Sequence, residues 1–210
     1  MSGVARQFPH VWQQRESASL GMWIFIATEI LFFGALFFVY AHMRLAHADD
    51  FAQASRHTDV LLGTLNTAIL LTSSLTMVLA VESSSLKGAP RTRLWIALTV
   101  LLGLSFMGFK SLEYYQDYRE HLVPWLDFRF DAAHAAGAAL FFSLYFVTTG
   151  LHALHLTIGI AILCVLSRQL RTHSRPENLH GRVEVVGLYW HFVDVVWIFL
   201  YPLLYLVARA

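Results

Sequence analysis

Three apolar stretches carry residues able to do chemistry. "GMWIFIATEILFFGALFFVY", Gly21 to Tyr40, holds one acid, Glu29. "TTGLHALHLTIG" places His152 and His155 three residues apart, on one side of a helix. "EVVGLYWHFVDVVWIFLY" sets Glu184 and His191 seven apart, so that they share a helix face. Asp194 follows His191 by three residues, within its reach, and Tyr201 lies seven further on. A charged side chain at a bilayer centre costs roughly 2.5–3.5 kcal/mol on insertion scales. Glu29 is therefore expected to be protonated, paired, or turned toward protein. Three chemistries compete for these groups. The imidazoles could ligate a metal or haem, but no HExxH, CxxCH or Cys/His cluster supports that. Glu29 and Asp194 could carry protons, which needs a file of partners that a lone acid does not supply. Or the polar groups bond helices to one another and hold lipid head groups. "NTAILLTSSLTM" suits this last reading, because Ser and Thr let helices approach closely and bond across the gap. Trp23, Trp95, Trp125, Trp190 and Trp197 suit interfacial anchors, and Trp23 and Trp190 could also pack with the polar stripe.

The elements that carry these residues are membrane spans. Of 210 residues, 57% are hydrophobic and 14% charged, against roughly 25% charged in a soluble domain. The net charge of +1 argues against a nucleic-acid partner. One cysteine, Cys164, excludes an intrachain disulfide and reads as a small buried hydrophobe. A spanning helix needs about 20 apolar residues. Five segments qualify, roughly 19–42, 60–82, 92–113, 135–167 and 185–208, giving an all-α five-helix membrane bundle. The fourth is too long to stand upright and should tilt or project. Residues 1–18 are polar and read as a cytoplasmic segment without a cleavable signal, leaving 19–210 as the membrane domain. "YYQDYREHLVPWLDFRFDAAH" reads as an interfacial loop or short surface helix. With the N-terminus inside and the C-terminus outside, inner segments hold nine Lys and Arg against six outside, Lys110 being counted among the six. A stand-alone transporter or channel is disfavoured, since there is no internal repeat and Pro202 is the only proline within a span.

Four stretches, "GMWIFIATEILFF", "NTAILLTSS", "TTGLHALHLTIG" and "YWHFVDVVWIFLY", together resemble subunit III of the haem–copper oxidases, in its cytochrome c oxidase branch. "GFKSLEYY" and "RQL" agree with it. The shorter bacterial five-helix form is the nearer likeness; longer members add two helices that enclose a lipid cleft. The accessory protein of nitric oxide reductases and the quinol oxidase subunit are rival relatives, and Glu29 within "ATEILFF" favours the cytochrome c branch. The resemblance implies an accessory subunit of the bacterial inner membrane. It would pack on subunit I through its early spans, bind phospholipid, support proton uptake and protect the active centre. Haem and copper would belong to partner subunits I and II, with cytochrome c as electron donor to the complex and no cofactor or metal in this chain. Glu29 falls on the family's carbodiimide-reactive glutamate, and His155, Arg168, His173, Glu184, His191 and Asp194 fall on family positions. Arg168 and His173 would sit at head-group level, where they could bind a lipid phosphate.

Overall fold

The computed structural model describes residues 11–86, 89–172 and 179–206. They form six helices: α1 (Val11–Ala46), α2 (Ala48–Ser55), α3 (Val60–Leu86), α4 (Ala89–Arg119), α5 (Ala135–Thr172) and α6 (Leu179–Tyr205), with no strand among the described residues. All but α2 are long and apolar enough to cross a membrane. Local chemistry sets several of their ends. Asp59 caps α3, its Oδ1 accepting from the Leu61 and Leu62 amides at 2.9 and 3.1 Å. Pro90 falls in the first turn of α4, where its missing N–H costs nothing. Beyond α4, His121 takes a left-handed φ of 58°, and the Leu122 amide turns back to the Asp117 carbonyl at 2.9 Å.

Helix α3 packs along α4 and α6, α5 along the same two, and α1 rests on α5 and α6. Half of the most apolar window of α6 is buried, against 11% for α1. Helix α6 is thus the centre of the bundle and α1 its loosest member. Trp190 of α6 slots between two glycines: a Cβ at Gly103 would lie 2.9 Å from its ring and one at Gly159 3.2 Å from it. These positions let α4 and α5 close on the indole.

Several boundaries differ from those read in the sequence, and one helix is new. Helix α1 begins at Val11 rather than near 19, because Arg15 extends the contact with α6 through Glu184. Helix α4 continues to Arg119, so "YYQDYR" extends the span rather than forming an interfacial loop or separate surface helix; Asp117 of that stretch faces inward. Helix α2 arises inside a polar stretch because Phe51 and Ala54 are fully buried, with the Phe51 ring 5.5 Å from both Tyr40 and Phe141.

Candidate functional site

Glu29 is paired. Its Oε2 lies 3.2 Å from Nε2 of His155 across the α1–α5 boundary, at ion-pair distance but without hydrogen-bond alignment. Nδ1 of His155 donates to the Leu151 carbonyl at 2.9 Å, so only Nε2 is left to face the acid. Phe33 closes one side, 5.4 Å from the imidazole, and the Tyr189 hydroxyl donates to the His155 carbonyl at 2.8 Å. His152 parts from its neighbour and enters the core at 1% exposure, between Phe106 and Trp197. Neither of its ring nitrogens has a hydrogen-bond partner among the described residues.

The α3–α6 seam is a ladder of hydroxyls against aromatics and imidazoles. Tyr201 meets Thr64 at 2.6 Å, and the Trp197 and Trp190 indoles donate to Thr67 and Ser73 at 3.1 Å each. Nδ1 of His191 meets Ser74 at 2.7 Å, and Nδ1 of His180 meets Ser84 at 2.9 Å. From Thr64 to Ser84 the partners on α3 advance while those on α6 run back from Tyr201 to His180, so these bonds fix the antiparallel register along the seam. His191 therefore bonds to α3 and not to Asp194, which the sequence had placed within its reach. Asp194 is 3% exposed and lies near Ser74, with no aligned hydrogen bond to either oxygen.

A third polar centre lies where α4, α5 and α6 meet. Lys110 and Glu113 are 2% and 1% exposed. The ammonium donates to Glu113 Oε2 at 3.0 Å, Tyr145 Oη at 2.8 Å and Tyr205 Oη at 2.6 Å. Both phenols donate in turn to Glu113 Oε1, at 2.8 and 2.6 Å. All three ammonium protons and both carboxylate oxygens are thus engaged, and the pair is neutral overall. The Tyr145 ring face is 4.4 Å from the ammonium. One turn further, Asp117 is also buried, and its Oδ2 has no partner among the described residues. Sequence reasoning missed this cluster by counting Lys110 among the outer charges, although it lies within the 92–113 span. The signal was Lys and Glu three apart inside an apolar run, the spacing of an intrahelical pair.

The remaining expected site residues are dispersed. Glu184 pairs with Arg15 at 2.5 Å, far down α6 from His191. Trp23 stands 56% exposed on α1. Arg168 is exposed near the end of α5, and His173 lies outside the described residues. An open cavity of about 650 Å³ lies beside α2, lined in part by His57, Glu120, Arg129 and His134. Near it, outside the spans, a hydrogen bond from Arg129 at 2.8 Å holds the exposed Asp127 carboxyl below its usual range. No three His, Cys, Asp or Glu among the described residues are placed to hold a metal.

The profile of the cytochrome c oxidase subunit III family matches residues 5–209. The chain belongs to that family. It is similar to the cytochrome c oxidase subunit 3 of Alkalihalophilus pseudofirmus, 34% identical over 90% of this chain and 86% of that protein. The subunit 3 of Bacillus subtilis is 32% identical over 91% and 86%. That of Cyprinus carpio is 35% identical over 88% of this chain and 67% of its own length. Within a subunit III chain, the Glu29–His155 pair, the α3–α6 ladder and the Lys110 cluster are three separate polar centres. Only the first two involve residues singled out from sequence.

Proposed function

We propose that this chain is a non-catalytic, accessory subunit of a terminal haem–copper oxidase in a bacterial inner membrane. The family match across residues 5–209 carries this reading. In it, haem and copper reside in subunits I and II, cytochrome c feeds electrons to the complex, and this chain packs on subunit I with its N-terminus in the cytoplasm. Glu29, held by His155, serves proton uptake and the durability of the active centre rather than oxygen chemistry. Trp23, Arg168, His173, Glu184, His191 and Asp194 form its lipid-binding and helix-bonding complement. Phospholipid binding is supported by an apolar groove of about 290 Å³ between α5 and α6, with Gln169 and Arg182 at its polar end.

The test is a tagged chain purified from its native membrane. Haem- and copper-containing subunits should accompany it, with oxygen reduction by reduced cytochrome c. In the same complex, Glu29→Gln should keep initial turnover within about twofold of the unmodified enzyme, because it preserves shape and a polar contact whose worth in membranes is about 0.6 kcal/mol. The loss should appear in catalytic lifetime. Initial turnover near zero at normal haem and copper content would show that Glu29 takes part in the chemistry, against the accessory reading.

A further inference from the structure

Helix α6 meets α1, α3, α4 and α5 around most of its circumference. One ridge stays uncovered: Val195, Ile198 and Pro202, all exposed, one turn apart in succession. His191 begins this ridge, one turn before Val195 and close to the middle of the span. Its Nδ1 is committed to Ser74. Its Nε2 has no partner among the described residues and is not among the enclosed atoms. Whichever way the Ser74 proton points, Nε2 is left as either a free donor or a free acceptor. Acyl chains at mid-membrane offer no complement to it.

The flanks of the ridge are shaped for a helix. On the α1 side a groove of about 240 Å³ is lined by Ile30, Gly34 and Phe37 against Val195 and Phe199. On the α3 side Leu71 and Val78 are exposed, one turn before and after Ser74. A ridge set beside a groove is how packed helices interlock. The exposed α4 residues Leu94, Leu101 and Leu104 are, in contrast, wholly apolar and need only lipid.

We propose that the ridge from His191 to Pro202 seats a transmembrane helix of a partner oxidase subunit, which meets His191 Nε2 with a hydrogen-bonding side chain. The proposal rests on the oxidase-subunit reading above and names the face by which that subunit is held.

The experiment uses the assembled complex in its membrane, with the photoreactive residue p-benzoylphenylalanine at Ile198 and, separately, at Leu101. Illumination should join the Ile198 probe to another subunit, while the Leu101 probe captures no subunit. His191→Phe should shed partner subunits several-fold faster during detergent washing, and His191→Gln should retain them. If the Ile198 probe captures no subunit while the tagged chain still brings down haem-bearing subunits, this face is wrong and the oxidase reading stands. If the tagged chain brings down no haem-bearing subunit, the oxidase reading fails and this proposal with it. Equal retention of subunits by His191→Phe and the unmodified chain would remove the assigned role of Nε2.

Discussion

Lys110 and Glu113 are enclosed where neither could remain charged alone. Their mutual bonds and the two phenols leave no ammonium proton and neither carboxylate oxygen without a partner. Removing one member strands the other, which costs about 3–5 kcal/mol for a buried pair. Lys110→Met and Glu113→Gln should therefore each lower stability by that order, and the double variant should lose clearly less than the two losses combined. Unfolding of the detergent-solubilised chain by heat or dodecyl sulfate measures this. Additive losses would show that the two residues do not act as a unit. Glu29 was legible in the sequence because an acid in an apolar run has few acceptable surroundings. Its partner was not, because His155 sits on a distant helix and was one of three plausible imidazoles. Lys110 and Glu113 were misread for a related reason. A charge near the end of an apolar run looks like the start of a loop unless its neutralising partner is recognised.

At the scale of elements, apolar length alone made five helices legible, since a buried backbone in lipid must bond within its own segment. Helix α2 escaped that logic, because only Phe51, Ala54 and Ser55 of its eight residues are buried and the rest read as loop. Its seat depends on one close approach. Asp50 contacts His134 at 2.6 Å and His47 at 3.5 Å, and lies directly over Gly137 in the first turn of α5. A Cβ on Gly137 would fall 2.0 Å from Asp50 Oδ2 and 2.3 Å from its Cβ, so the backbone of α2 must move, not just a side-chain tip. Gly137→Ala should cost about 1–3 kcal/mol, in the range of overpacked sites. It should also speed tryptic cleavage at the exposed Arg56, just past the end of α2. Unchanged cleavage would mean that α2 is not held by this contact. Helix α1 shows the same economy of attachment. With little of it buried, it is fastened at Arg15–Glu184, Glu29–His155 and the Tyr40 hydroxyl on the Leu203 carbonyl, one tether for each third of its length. None of the three was readable as a pair, since each joins α1 to a helix at the far end of the chain.

For the whole molecule, the helices alternate in direction. The α2 segment, the 120–134 loop and the end of α6 therefore share one end of the bundle, and the start of α1 and the α3–α4 and α5–α6 connections share the other. Orientation follows from which end carries more Lys and Arg. Burial of Lys110 changes that tally. As a neutralised core residue it exerts no pull on a loop, which leaves Arg44, Arg56, Arg119, Arg129 and Arg209 in the outer sequence tally against nine Lys and Arg in the inner one. The asymmetry is then steeper than the sequence alone suggested, and it favours a cytoplasmic N-terminus. Two positions report on it directly. Arg91 is exposed at the start of α4, and Trp125 is exposed in the loop after that helix, 63% of its surface being accessible. In a Cys164→Ser background, which removes the half-buried native thiol, Arg91→Cys should react with a membrane-impermeant maleimide only after the membrane is opened. Trp125→Cys should react in intact cells. Labelling of the Arg91→Cys chain from outside would invert the orientation while leaving the five spans in place.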